Sequence, residues 1–229
     1  MGDFFGKEYR SNMEKDLANQ EQLISRVVEK VMEQLTYYDR FKIPIGVSNR
    51  HVHVSREDLD VLYGKGYELT KKSDLGQPGQ FAAEETVTVR GPKGEFKGVR
   101  ILGPIRPESQ VEISLADGFK LGVRAPITES GHLDGTPGLT LIGPKGTVEM
   151  PQGTIVALRH IHMTPADAER MGVKDKDIVD VETFGEREGV LGNVLVRVSD
   201  KFALEMHVDM DEANACSLKN KDYVVIAKR

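Results

Sequence analysis

Hydrophobic positions in the first forty residues recur at helical spacing. Between Gln20 and Leu35, the residues Leu23, Val27, Val28, Val31, Met32 and Leu35 fall on one stripe. Upstream, Phe5, Tyr9, Met13 and Leu17 recur every fourth residue, a weaker stripe interrupted at its start by Gly6. The pattern predicts an N-terminal helix separable from the rest of the chain. Such a helix packs on its own domain or a second subunit, or docks the chain to a larger assembly.

From Ile43 onward the pattern shortens to strands and turns. Thr86-Val87-Thr88-Val89 leads into Gly91-Pro92-Lys93-Gly94, and residues 96–101 lead away. The same Gly-Pro-Lys-Gly recurs at Gly143-Pro144-Lys145-Gly146, between residues 139–142 and 147–150. Asp117-Gly118 reads as a further hairpin turn, between residues 111–115 and 119–123. Residues 178–183, 194–198 and 223–226 are β-rich runs. Many short strands with Gly and Pro turns predict a mainly β chain with a few helices, in compact barrels or sandwiches.

The chain also echoes itself. Arg50-His51-Val52-His53-Val54-Ser55 is matched by Arg159-His160-Ile161-His162-Met163-Thr164. A helix start follows each, Ser55 with Asp58 and Thr164 with Pro165 and Asp167: a hydroxyl to cap the first turn and an acid to cap back. Strand, His-x-His, cap and short helix thus occur twice, which implies two related units facing each other.

The formal net charge of −5 over 229 residues argues against a nucleic-acid binder, though it leaves room for a local basic pocket. No stretch approaches the roughly 20 apolar residues of a membrane helix, and the first residues lack the apolar core of a secretory signal. Cys216, the single cysteine, excludes an internal disulfide framework and suits a reducing cytosol.

Four of the six histidines lie in the His-x-His pairs. Residues two apart on a strand project from one face, so each pair aims two imidazoles at one spot. Two such pairs in matching local sequence are strong evidence for a metal site. Catalytic zinc takes three protein ligands and one open position. His207, alternating with apolar residues in Leu204-Glu205-Met206-His207-Val208-Asp209, is a candidate third ligand. Glu112 lies in a similar setting, but on spacing alone it reads as a solvent-facing strand residue. His132, in a Gly-rich loop, does not read as a ligand.

Basic residues flank these strands: Arg50, Arg159, Arg100, Arg106, Lys71 and Lys72. Arginine suits phosphate because its planar fork donates two parallel hydrogen bonds. There is no Gly-x-x-x-x-Gly-Lys-Ser/Thr phosphate loop and no Gly-x-Ser-x-Gly elbow, and Cys216 reads as a small core residue rather than a nucleophile.

Ser48-Asn49-Arg50-His51-Val52-His53-Val54-Ser55, then Lys72-Ser73-Asp74-Leu75-Gly76-Gln77-Pro78-Gly79-Gln80, then Ile101-Leu102-Gly103-Pro104-Ile105-Arg106 resemble the PduL-type phosphotransacylases. Arg159-His160-Ile161-His162-Met163 and the stretch from His207-Val208-Asp209 to Asn214-Ala215 continue the resemblance, which runs from about Ile43 to the C-terminus. It implies two small β-barrel domains capped by short helices. Residues 41–49 with 158–229 would form one and residues 50–157 the other, behind an N-terminal helical extension at residues 1–40. It also implies two zinc ions per chain, one on His51, His53 and Glu112, the other on His160, His162 and His207. Arg106 would hold phosphate, as the catalytic anion-binding residue. Ser48, Lys72, Arg100, Leu102, His207 and Asn214 would line the coenzyme A side.

The implied reaction is acyl-CoA plus phosphate giving acyl phosphate plus CoA, with propanoyl or acetyl groups. Direct attack by an aligned phosphate needs no acyl-enzyme, in keeping with the lack of an activated Ser or Cys. The alternatives are a dizinc hydrolase of thioesters or phosphoesters, and a metal-binding scaffold in an assembly. Members of this family work free in the bacterial cytosol or inside protein-shelled microcompartments, where an amphipathic N-terminal extension directs packaging. Shell or cargo proteins and further copies of the chain are therefore candidate partners, alongside CoA and phosphate; nucleic acid and membrane are not.

Overall fold

The computed structural model describes residues 4–227, with side chains for Leu17 and from Asn19 onward. It divides into two units, Met1–Lys42 and Ile43–Arg229. The first unit is helix α1 (Phe4–Phe41), continuous through Gly6. The stripe of Leu23, Val27, Val28, Val31, Met32 and Leu35 lies along it, each residue half exposed or more. The side chains of Phe5, Tyr9 and Met13 lie outside the described set. No helix among the described residues is long and apolar enough to cross a membrane.

The second unit begins with β1 (Ile43–Ser48), β2 (His51–His53), α2 (Arg56–Tyr63), β3 (Lys71–Asp74), β4 (Phe81–Arg90) and β5 (Glu95–Gly103). It continues through β6 (Gln110–Glu112), α3 (Leu115–Leu121), β7 (Ile127–Thr128), β8 (Thr140–Ile142), β9 (Thr147–Glu149) and β10 (Thr154–Ala157). Then come β11 (His160–Met163), α4 (Pro165–Met171), β12 (Ile178–Thr183), β13 (Gly189–Val198), β14 (Glu205–Asp209), α5 (Met210–Cys216) and β15 (Tyr223–Ile226). The chain is mainly β with short helices, as the turn-rich pattern predicts. Strands β1, β14, β11, β13, β12 and β15 close into a six-stranded barrel. The other nine form a sheet in the order β7-β10-β6-β2-β5-β4-β8-β9, with β3 on β4, curled into a half-barrel rather than closed.

Each sheet encloses its own apolar core. The barrel packs Ile43, Ile45, Ile161, Met163 and Met206 inside, and the half-barrel packs Val52, Leu59, Leu62, Ile101 and Leu141. Side chains this fully removed from water stabilise the fold by about 1.5–3 kcal/mol each relative to exposure.

Both Gly-Pro-Lys-Gly turns join antiparallel neighbours, β4 to β5 and β8 to β9. Asp117-Gly118 does not make a hairpin. Ser114 instead caps α3, accepting from Asp117 N, while the Asp117 carboxylate accepts from Ser114 N, so Asp-Gly sits inside the first helical turn. The same reciprocal cap opens α4 (Thr164 with Asp167) and α5 (Asp209 with Glu212). At α2, Ser55 accepts from Asp58 N, but Asp58 does not reach back directly. The Ser109 hydroxyl intervenes, accepting from Ser55 N at 2.9 Å and donating to Asp58.

The sequence echo becomes a repeat of strand pairing. In the half-barrel, β6 lies between β10 (parallel) and β2 (antiparallel), and β2 continues to β5 in parallel. In the barrel, β14 lies between β1 (parallel) and β11 (antiparallel), and β11 continues to β13 in parallel. The chain changes sheets at matching points. Strand β1 of the barrel runs into β2 of the half-barrel through Asn49-Arg50, and β10 of the half-barrel runs into β11 of the barrel through Leu158-Arg159.

Candidate functional site

Those two crossovers build the site. Each places a His-x-His strand beside a short antiparallel strand whose register supplies the third donor. His51 lies opposite Glu112 on β6, and His160 lies opposite His207 on β14. Glu112 and His207 are therefore equivalent positions of one pattern. His51, His53 and Glu112 form one group, and His160, His162 and His207 the other, with the donor atoms of each group within 4.8 Å of one another. The reading of Glu112 as a solvent-facing residue is overturned: its side chain is 12% exposed and its carboxylate approaches His51 Nε2 at 3.4 Å. His132 belongs to neither group.

The crossovers also orient the rings. His51 Nδ1 lies 2.8 Å from the Asn49 carbonyl, and His160 Nδ1 lies 2.7 Å from the Leu158 carbonyl, in each case two residues upstream. A carbonyl only accepts, so Nδ1 carries the proton and the Nε2 lone pair is left for the group. His53 Nδ1 faces the Leu102 carbonyl at 3.2 Å. His162 Nδ1 is buried with no hydrogen-bond partner among the described residues, and the ring stacks on Phe202 at 4.2 Å.

Electrostatics separates the two halves. Burial disfavours the imidazolium of His51, but the charge and hydrogen bond of Glu112 outweigh it and raise its pKa. Burial would raise Glu112, yet His51 and His53 hold its carboxyl well below the usual carboxylate range. Burial and the neighbouring His51 push His53 down to about 3. In the three-histidine group, burial and His207 push His160 down to about 4, and burial with His160 and His207 pushes His162 down to about 2. Three rings 4.6–5.1 Å apart, with His160 and His162 buried and neutral and His162 carrying an orphaned nitrogen, could hold a divalent metal ion. His-His-Glu and His-His-His are both sets that zinc accepts.

A cleft lined by Ser48, Asn49, Glu112, His160 and His207, among others, reaches both groups. Ser48 Oγ lies 3.3 Å from His51 Nδ1. Arg106 stands beside the first group: it donates to Ser130 at 3.0 Å, and Ser130 donates to Glu112 at 2.9 Å. Burial and the nearby Arg197 lower the Arg106 pKa, while Glu112 raises it. Sequence reasoning missed Arg197, which sits opposite His162 in the β11–β13 register and carries no ion pair among the described residues. It also missed Gln110, which donates to Glu112 and Ser130. No local pattern marks either, since strand register alone brings Arg197 opposite His162 and Gln110 opposite His53.

The remaining site residues scatter. Lys72 pairs with Glu84 at 3.5 Å on an exposed edge, and Arg100 donates to the Ala83 and Glu84 carbonyls. Leu102 acts through its carbonyl on His53. Asn214 is an exposed residue of α5. None of these four lines the cleft, whereas Ser48 and His207 do. Arg50 and Arg159 do not face it as free cations. Arg50 makes a two-pronged pair with Asp117 of α3, and Arg159 pairs with Glu212 of α5, the third helical residue in each.

A family model described as phosphate propanoyltransferase matches residues 44–219. Three similar proteins carry that name. The one from Rhodopseudomonas palustris is 51% identical, over 92% of this chain and 99% of its own. The one from Thermotoga maritima is 58% identical over 81% and 89%. The one from Rhodobacter capsulatus is 53% identical over 90% and 97%.

Proposed function

The chain belongs to the phosphate propanoyltransferase family and is an acyltransferase, and on that premise we propose that it exchanges coenzyme A and inorganic phosphate on a propanoyl or acetyl group, with one zinc ion in each donor group. The observation that carries the reading is the meeting of two three-donor groups at one cleft with Arg106 beside them.

Zinc on His51, His53 and Glu112, and on His160, His162 and His207, would supply Lewis-acid stabilisation of the negative charge that builds on the thioester oxygen. Arg106 holds phosphate. Its backbone N–H is tied to the Val54 carbonyl at 2.9 Å and its guanidinium to Ser130, so it meets the anion with little reorganisation. Arg197, the second guanidinium, adds positive charge from the three-histidine side. A phosphate oxygen attacks the acyl carbon, the carbon–sulfur bond breaks, and its electron pair leaves on the CoA sulfur. No acyl-enzyme is required, and Cys216, packed against the barrel core at the end of α5, is not a nucleophile. Ser48 and His207 contact CoA from the cleft, and Lys72, Arg100, Leu102 and Asn214 line its path. Residues 50–157 act as one domain inserted between residues 41–49 and 158–229 of the other.

The test is CoA release from propanoyl-CoA and acetyl-CoA, with and without phosphate, on zinc-loaded and chelator-stripped protein. Release that needs both phosphate and metal is the expected result. Metal-dependent release indifferent to phosphate makes the protein a hydrolase and removes the role given to Arg106. The protein works in the bacterial cytoplasm or in a microcompartment, with α1 as the packaging extension. Deleting the residues before Tyr37 should abolish co-purification with shell proteins while turnover stays within about twofold, a change too small to signal a lost catalytic contact.

A further inference from the structure

Glu205 stands two residues before His207 on β14 and therefore projects from the same strand face. Its register partner across β11 is His162. The carboxylate lies 2.7 Å from His207 Nε2. Because a carboxylate only accepts, Nε2 carries the proton and the His207 lone pair falls on Nδ1.

The surroundings are built to admit this carboxylate. A methyl group at Gly76 would collide with both Glu205 carboxylate oxygens, and one at Gly46 would land 2.9 Å from its carboxyl carbon. Gln77, 7% exposed, donates to Glu205 at 3.3 Å and to the Ala203 carbonyl at 3.0 Å, and its own carbonyl accepts from Ala203 N at 3.2 Å. The loop after β3 is thus latched to the start of β14 around one carboxylate.

The matching position in the other half is Gln110, opposite His53 as Glu205 is opposite His162. There a neutral amide holds a charged ligand, donating to Glu112 at 2.5 Å. In the three-histidine half the residue types are exchanged: the ligand is an imidazole and its holder a carboxylate. Each half thereby brings one carboxylate to a site for a divalent cation.

We propose that Glu205 is the positioning residue of the three-histidine group, holding His207 with Nδ1 free and supplying the negative charge that the three imidazoles lack, and so setting that group's affinity for a divalent cation. This rests on the reading that both groups bind metal. Carboxylate partners of metal-bound histidines typically change affinity by about 10–100-fold when removed.

The test titrates metal-free full-length protein with Zn²⁺ against a chromophoric chelator. Wild type should show two sites. Glu205→Gln, nearly isosteric and matching Gln110, should weaken one of them by about 10–100-fold and leave the other within about twofold. His207→Ala should abolish the same site. Gly76→Ala, whose methyl displaces the carboxylate, should weaken that site in the same direction. Wild-type protein with fewer than two sites would refute the metal reading itself. Two wild-type sites with both unchanged in Glu205→Gln would overturn the role of Glu205 alone. Equal weakening of both sites with a lowered urea midpoint in the metal-free protein would do the same, by assigning Glu205 to the fold.

Discussion

The His51-His53-Glu112 half and the His160-His162-His207 half share one strand pattern and one crossover geometry but not one charge. In the first, a carboxylate lies among the donors, so His51 is raised and Glu112 lowered by each other, and the group is internally compensated. In the second, burial and mutual repulsion keep His160 and His162 neutral, and the carboxylate stands one residue pair away. Backbone symmetry thus sets where donors meet, while side-chain choice sets where the negative charge of each half lies. The helical anchors differ in the same way: Arg50 grips a nearly buried Asp117 with two bonds, and Arg159 meets a more open Glu212 with one.

The largest effect should come from deleting a donor. His53→Ala and His162→Ala should each lose one bound metal and lower turnover by about 10³-fold, the equivalent of several kcal/mol of transition-state stabilisation. Atomic absorption together with kcat would break the comparison if one half proved dispensable. Arg106→Ala should come second, with kcat/KM for phosphate down about 10²–10³-fold. Arg197→Ala should cost about tenfold, since it adds charge without a bond to Ser130. Equal losses would mean that the arginines are as symmetric as the strands.

Acid should weigh on both halves next, through one ring of the first and two of the second. An unfolded histidine takes its proton near 6.5, whereas His53, His160 and His162 resist until about 3, 4 and 2. Between pH 6.5 and 4 the unfolded chain therefore binds more protons, and metal-free protein should lose stability as pH falls. The slope is up to about 1.4 kcal/mol per unit for each ring. His51 adds no slope there: its raised pKa stabilises fully below 6.5, and that part is lost as pH rises through its folded value. Urea midpoints at pH 7.5 and pH 5 measure this, and equal midpoints would show that the rings are not held neutral. The smallest effect is on the anchors. Arg50→Ala should cost about 1–3 kcal/mol by leaving Asp117 with its cap hydrogen bond but no ion pair, and Arg159→Ala about 1 kcal/mol or less. The reverse order by urea unfolding would contradict the geometry.

Much of this was legible in the residues themselves. The His-x-His pairs read correctly because alternation on a strand is a property of neighbours. The Thr164–Asp167 cap and the two Gly-Pro-Lys-Gly turns read correctly because each closes its hydrogen bonds within a few residues. Asp117-Gly118 was misread for lack of weight on Ser114: the same two residues serve a hairpin or a capped first turn, and only the hydroxyl three positions upstream decides.

Glu112 was hidden for a different reason. Its strand is three residues long, too short for a pattern to distinguish its faces, and what aims it inward is pairing with β2 sixty residues away in the chain. Gln110 and Glu205 gave no sign of being counterparts until the register set them opposite His53 and His162. Residue order alone carried the family, the β-rich class, the paired histidines and the local caps, because each rests on contacts between near neighbours or on long shared motifs. It took the folded chain to show that one sheet closes and the other stays open, and that the chain crosses between them at both histidine strands. The unlike places of the carboxylates in the two halves emerged there too. Those features depend on strand register across the whole sheet, and register is a sum over distant pairings that no local window contains.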